Sequence, residues 1–238
     1  MTSLKCIAHR GGPLGGEPLP ENSLAAVARA LDMGVEGIEL DVFLCNGELL
    51  VTHDRRLGRV VSGEGMIDQL PEAYLAQQQL ENGEPIPHLE QVLALVGERA
   101  LLNIEIKGQG VMPVLNRCLR DFVSGTQGSF EPYIISSFDH QQIFQALQLL
   151  PDVKRGVLIE GVPLDYAACC EPLKAYSLNN HLSYCLPELV QDANKRGFHT
   201  WVYTVNRADE WEYLHQIGVD AVFTDKPNEF LAWQAKHI

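Results

Sequence analysis

GIELDVFLCNGELLVTHD, residues 37 to 54, carries the pattern that decides the fold. Its strand formers Ile38, Leu40, Val42 and Phe43 are interrupted by Glu39 and Asp41. Side chains on a strand alternate faces, so both carboxylates point the same way. Asn46-Gly47 is a strong signal for a two-residue hairpin turn, and the return run Leu49 to Thr52 ends at His53-Asp54 beside the two acids. The strand is otherwise apolar, which favours burial over a solvated hairpin. Buried like charges raise one another's pKa unless a cation lies between them.

The turn also poses a parity problem. A strict two-residue turn pairs Cys45 with Glu48, Asp41 with Thr52 and Leu40 with His53. Paired residues share a face, so His53 would then point away from Glu39 and Asp41. A bulge or a longer turn that brings His53 round to the acids is expected. The other solution is for His53 to leave the strand first.

Outward from this hairpin, short apolar runs alternate with helical patterns. Strands are expected at Leu4 to Ala8, Val35 to Val42, Leu49 to His53, Ala100 to Lys107, Tyr133 to Ser137, Arg155 to Glu160, Ala175 to Asn179, Thr200 to Thr204 and Asp220 to Thr224. Asn22-Ser23 should cap a helix that runs to Met33 and closes at Gly34. Further helices are expected at Leu89 to Val96, Met112 to Val123, Gln141 to Leu150, Ala208 to Ile217 and Pro227 to Lys236. Residues 55 to 87 form a short excursion without a strong period. The two-residue turn makes the third strand antiparallel. The other eight have room for right-handed crossovers, which makes the chain one TIM (β/α)8 barrel over 1 to 238, with an extra hairpin strand after strand 2. A doubly wound open sheet is the alternative, but no GxGxxG follows the first strand to support it.

The 238 residues carry 18 Lys plus Arg against 31 Asp plus Glu, a net charge of −13. This balance opposes general affinity for nucleic acid and stable association with anionic membranes. Six cysteines without CxxC spacing fit reduced thiols, and the first residues lack an apolar leader segment, so a cytoplasmic location is expected.

A TIM barrel places its chemistry at the C-terminal ends of its strands. His9-Arg10, Glu39 with Asp41, Glu105 with Lys107, and Asp225 all stand there. Glu39, Asp41 and Glu105 are hard oxygen donors suited to one divalent cation, Mg²⁺ or Ca²⁺, with Asp54 and Asp225 as reserve ligands. His9 and His53 can divide base and acid roles beside such a site. Arg10 and Lys107 can clamp a phosphate, or more plainly form salt bridges to the same carboxylates. Together these groups point to phosphodiester hydrolysis. The mouth loops look polar or small in composition, which favours water-soluble diesters over lipids.

HRG at 9 to 11, PEN at 20 to 22, ELD at 39 to 41, HD at 53 to 54, EIK at 105 to 107, SSF at 136 to 138, TVN at 204 to 206 and TDKP at 224 to 227 resemble the glycerophosphodiester phosphodiesterases, over nearly the whole chain. The resemblance implies a TIM barrel, a divalent metal and cleavage of a glycerophosphodiester to sn-glycerol 3-phosphate and an alcohol. It implies His9 and His53 as the paired histidines, Glu39, Asp41 and Glu105 as metal carboxylates, and Arg10 and Lys107 as phosphate contacts. The alternatives are a lysophospholipase D-like or other phosphodiesterase on the same barrel, an aldolase with Lys107 as Schiff-base lysine, and a phosphate-ester binding protein without turnover.

Overall fold

The computed structural model describes residues 3–237. Nine strands form one sheet among them: β1 (Lys5–Ala8), β2 (Gly37–Cys45), β3 (Glu48–Val51), β4 (Leu101–Ile106), β5 (Tyr133–Ser137), β6 (Lys154–Ile159), β7 (Ser177–His181), β8 (His199–Tyr203) and β9 (Ala221–Thr224). Their order is β1-β9-β8-β7-β6-β5-β4-β2-β3, and β1 also bonds β2. Eight parallel strands therefore close a barrel, and β3 lies outside it, antiparallel to β2. The helices are α1 (Leu24–Met33), α2 (Glu72–Leu75), α3 (Leu89–Val96), α4 (Val111–Thr126), α5 (His140–Leu149), α6 (Pro187–Arg196), α7 (Ala208–Gln216) and α8 (Pro227–His237). No helix among the described residues is long and apolar enough to cross a membrane.

Local chemistry accounts for the elements. The Ser23 hydroxyl accepts the Ala26 N–H and caps α1. Ala26, Val27, Ala30 and Leu31 then form the buried stripe at helical spacing, and Gly34, at φ +77°, closes the helix in the left-handed region. The α6 helix has no counterpart among the helices expected from sequence, although Pro187 opens it, Lys195 and Arg196 stand in its last turn and Gly197 ends it. Only Leu189, Val190 and Ala193 are buried on it, so its apolar stripe is thin. Before it, the β6–β7 connection contains just a 3-10 turn, Tyr166–Cys170.

The barrel divides its apolar residues between two cores. The larger lies between strands and helices and includes Leu40, Val42, Leu102, Ile104, Leu115 and Val202. The smaller fills the lumen with Ile7, Ile134, Trp201, Ala221 and Phe223. Each large side chain buried this way contributes roughly 1.5–3 kcal/mol, so the lumen layer alone is a firm floor for whatever sits above it. The excursion after β3 adds a third cluster, in which Leu57, Val61, Ile67, Leu75 and Leu80 pack on Phe43, Cys45 and Leu50 of the hairpin.

The hairpin contains no bulge, contrary to expectation. Cys45 pairs with Glu48 and Val42 with Val51, around a strict two-residue turn with Asn46 at φ +52° and Gly47 at φ +89°. Positive φ at both positions is the type I′ geometry that matches strand twist, and it suits Asn-Gly. Parity is resolved by the other route. The β3 strand ends at Val51, Thr52 makes a last bond from its N–H to the Asp41 carbonyl (3.0 Å), and His53 is free of the ladder.

Candidate active site

Strand register brings the acids together. The β2–β4 ladder sets Asp41 opposite Glu105 and Glu39 opposite Asn103, so three carboxylates share the inner face near the C-terminal rim. One carboxylate oxygen from each of Glu39, Asp41 and Glu105 lies within 4.8 Å of the others, the closest such group of potential metal ligands among the described residues. Glu39 Oε2 accepts the Arg10 backbone N–H at 2.9 Å, while its Oε1 is buried with no partner. Asp41 Oδ2 accepts from Asn22 Nδ2 at 2.9 Å and lies 3.5 Å from Arg10 Nε; its Oδ1 lies 3.3 Å from Lys107 Nζ. Lys107 also pairs with Glu105.

These contacts split the acids electrostatically. Burial, followed by repulsion from Asp41, pushes Glu39 up to about 8. Burial and Asp41 also raise Glu105, against the opposing pull of Lys107. For Asp41 burial acts upward too, yet Lys107, Arg10, His53 and the Asn22 bond outweigh it and hold the carboxyl below its ordinary value. A buried orphan oxygen, an all-oxygen donor set and an acid protonated for want of compensating charge fit a hard divalent cation. Glu39, Asp41 and Glu105 could hold it.

The two histidines are mounted alike. His9 follows β1 in a 3-10 turn, and its Nδ1 lies 2.7 Å from Asp225 Oδ1; Asn206 Nδ2 donates to the other Asp225 oxygen at 2.7 Å. His53 Nδ1 lies 2.8 Å from Asp54 Oδ1. A carboxylate facing Nδ1 selects the tautomer with the proton there, which leaves each Nε2 unprotonated in the neutral ring. His9 Nε2 is 4.0 Å from Glu39 Oε2. Burial works against the His9 imidazolium, but the Asp225 bond and the Glu39 charge outweigh it and raise its pKa. His53 is lowered, because burial and the charges of Arg10 and Lys107 exceed the help it draws from Asp41 and Asp54. Asp54 and Asp225, expected as reserve ligands, each have an oxygen on an imidazole in this structure, and the three-carboxylate group is made by Glu39, Asp41 and Glu105.

A chain of charged hydrogen bonds ties the site together. Arg10 Nη1 donates to Glu21 Oε1 (2.9 Å), Arg59 binds Glu21 through both terminal nitrogens, and Arg59 Nε donates to Asp54 Oδ2. Arg59, on the excursion, thereby links Arg10 to His53. Asn22, 2% exposed and at φ +62°, clamps Asp41 with its side chain while its N–H donates to the Arg10 carbonyl. The sequence marks Asn22 as a helix-capping residue and as part of the PEN motif without giving it a role at the site, and nothing in it singles out Arg59, since its partners lie 38 and 5 positions away.

All seven residues singled out from sequence, His9, Arg10, Glu39, Asp41, His53, Glu105 and Lys107, meet at one mouth. A cleft of about 240 Å³ is lined by six of them, with Phe138, Leu158, Tyr203 and Phe223 as its apolar half; Asp41 lies behind them, 1% exposed. A larger hollow of about 430 Å³ lies between the hairpin and the excursion, but its His88–Glu48 pair is rim-exposed and brings no third ligand. The residues singled out from sequence therefore gather at the smaller cleft.

A family model described as the glycerophosphoryl diester phosphodiesterase family matches residues 9–229. A glycerophosphodiester phosphodiesterase from Caldanaerobacter subterraneus subsp. tengcongensis is 32% identical over 240 residues, covering 94% of this chain and 95% of that protein. Among solved structures, a phosphodiesterase from Oleispira antarctica in complex with the product sn-glycerol-3-phosphate is 26% identical, with a TM-score of 0.87 over 97% of this chain and 96% of that one. A putative glycerophosphodiester phosphodiesterase from Galdieria sulphuraria, 22% identical with a TM-score of 0.88 over 98% of both chains, shares the fold. With the family model spanning most of its length and a relative aligned over nearly all of both chains, this chain belongs to the glycerophosphoryl diester phosphodiesterase family.

Proposed function

We propose that this chain hydrolyses water-soluble glycerophosphodiesters, such as glycerophosphocholine or glycerophosphoethanolamine, to sn-glycerol 3-phosphate and an alcohol, with a divalent cation at Glu39, Asp41 and Glu105. The observation that carries this reading is the pair of carboxylate-mounted histidines flanking three converging buried acids. A divalent ion bound there supplies Lewis-acid polarisation of a phosphoryl oxygen. Arg10 and Lys107, paired with Asp41 and Glu105 in this structure, offer the remaining phosphoryl oxygens two cations within the same cleft. His53, lowered and therefore neutral near pH 7, accepts the proton of the attacking hydroxyl. His9, raised and therefore protonated more readily, donates one to the leaving alkoxide.

A Schiff-base role for Lys107 is disfavoured. Burial acts against its charge, but Asp41 and Glu105 prevail and hold the amine protonated, the wrong state for attack on a carbonyl. The test is release of glycerol 3-phosphate from glycerophosphocholine in Mg²⁺, in Ca²⁺ and in EDTA. Turnover in either metal with loss in EDTA is expected. Full turnover by protein shown to be metal-free would remove the cation from the reaction, and ligand binding without any turnover would make the chain a binding protein.

A further inference from the structure

Arg59 reaches toward the site from the excursion, and its backbone is firmly mounted. Leu57 and Val61, two positions to either side, are buried in the cluster that packs on Phe43, Cys45 and Leu50 of the hairpin. Between them the chain turns tightly. The Gly58 N–H donates to the Val61 carbonyl at 2.8 Å, and the Leu57 N–H donates to the Gly65 carbonyl at 2.9 Å. From this turn the guanidinium spans two carboxylates that belong to separate connections. Its Nε donates to Asp54 Oδ2 at 2.5 Å, Nη1 to Glu21 Oε2 at 3.1 Å and Nη2 to Glu21 Oε1 at 2.5 Å. Each carboxylate has a further partner at the mouth: Arg10 Nη1 for Glu21 Oε1 (2.9 Å) and His53 Nδ1 for Asp54 Oδ1 (2.8 Å). The other histidine has a matching arrangement. His9 faces one oxygen of Asp225, and Asn206 holds the other at 2.7 Å. Arg59 stands to Asp54 and His53 as Asn206 stands to Asp225 and His9.

A carboxylate fixes an imidazole only while its own outer oxygen is held, because otherwise it turns about its side-chain torsions. Arg59 is half-exposed, so its ion pairs add little stability; what its fork supplies is geometry. A planar guanidinium presents donors at fixed spacing and sets two carboxylates in one plane, which the single ammonium of a lysine cannot do. We propose that Arg59 is a positioning residue for the phosphodiester cleavage: it holds Asp54 so that His53 keeps its proton on Nδ1, and through Glu21 it holds Arg10 beside that imidazole. This rests on the phosphodiesterase reading above. Arg59 acts from behind Glu21 and Asp54, outside the residues that line the cleft. Without it, Asp54 turns and the neutral His53 ring loses its preferred tautomer. Glu21 is then left wholly to Arg10 and draws that guanidinium away from the phosphate. The excursion, whose apolar anchors mount Arg59, thereby becomes part of the support of the active site.

The test uses Arg59→Gln and Arg59→Lys in the full chain with Mg²⁺. Arg55→Gln is the control, because it breaks the excursion's ion pair to Asp68 and leaves the bonds of Glu21 and Asp54 in place. The first readout does not depend on turnover: the nitrogen NMR spectrum of the imidazoles at about pH 9, where His53, lowered from its ordinary value, is neutral. Wild type should show His53 protonated on Nδ1. Arg59→Gln should show a mixture of tautomers at His53, with the His9 signals unmoved. The second readout is glycerol 3-phosphate release from glycerophosphocholine. Losing the outer partner of an orienting group costs roughly 10–100-fold in activity, so kcat should fall by that much in Arg59→Gln and by about tenfold in Arg59→Lys, which keeps the charge but not the fork. Arg55→Gln should turn over as wild type does. Should the glutamine variant fail to fold, the lysine variant carries both readouts. An unchanged His53 tautomer in the Arg59 variants overturns the proposal, whatever happens to kcat. A kcat loss matched by Arg55→Gln overturns it too, and so does full kcat in Arg59→Lys. No release by the wild type overturns the phosphodiesterase reading together with the proposal; a wild type that turns over, matched by its Arg59 variants, overturns the proposal alone.

Discussion

Replacing Glu39 by Gln should stabilise the metal-free protein while abolishing its activity. Glu39 is 2% exposed, and burial together with Asp41 lifts its pKa from an ordinary 4.5 to about 8. At pH 7 the folded protein therefore keeps a proton that the unfolded chain has released. A group with a raised folded-state pKa contributes its full stability below the unfolded value and loses it as pH rises toward the folded one. At pH 7 the interval above the ordinary value is 7 − 4.5 = 2.5, and at about 1.4 kcal/mol per pH unit the penalty is about 3 kcal/mol. At pH 5 the interval is only 0.5, and the penalty falls below about 1 kcal/mol. Gln has the same shape and keeps a carbonyl oxygen to accept the Arg10 N–H, but carries no charge and escapes the penalty. Urea unfolding of chelator-treated wild type and Glu39→Gln at both pH values measures the difference. The variant should be more stable by about 3 kcal/mol at pH 7, which is roughly 6–12 °C in Tm for a chain of this size, with the gap nearly closed at pH 5. Added Mg²⁺ or Ca²⁺ should raise the wild-type Tm and leave the variant's unchanged. A variant less stable than wild type at pH 7, with a gap indifferent to pH, would refute the electrostatic account of the site.

Three further outcomes follow from the geometry. The plot of kcat/KM against pH should be bell-shaped around neutrality, rising as His53 loses its proton below 6.5 and falling as His9 loses its own above 6.5; Asp225→Asn, which removes the charge raising His9, should move the alkaline limb to lower pH and leave the acid limb in place. If His9 and His53 act as one acid–base unit, kcat of the double alanine variant should be little below that of the worse single variant, and losses that multiply would show that they act independently. Asn22→Ala should cost about 3 kcal/mol by thermal unfolding, since it removes a charge-assisted bond to buried Asp41 and places a Cβ residue at positive φ; Asn22→Gly should recover about 1 kcal/mol of this, and equal losses would rule out the backbone contribution.

Much of this protein is decided by local pattern. Ser23 and Gly34 bound α1 because capping and left-handed closure involve only neighbours along the chain. Glu39 and Asp41 share a face because strand periodicity is local, and Asn46-Gly47 sets a two-residue turn for the same reason. The convergence of Glu105 on that pair also follows once the parallel barrel is recognised, since adjacent strands end at one rim. Three features were settled only in three dimensions. Whether His53 reached the acids depended on where β3 stopped pairing, a competition between the ladder and the site that no local rule decides. The helix α6 is held by three small buried contacts, too thin a stripe to stand out in a one-dimensional pattern. The path from Arg10 through Glu21, Arg59 and Asp54 to His53 joins residues from separate connections. Hydrogen bonds act through space, and barrel closure brings those connections side by side, whereas along the chain each residue has only its immediate neighbours to reveal it.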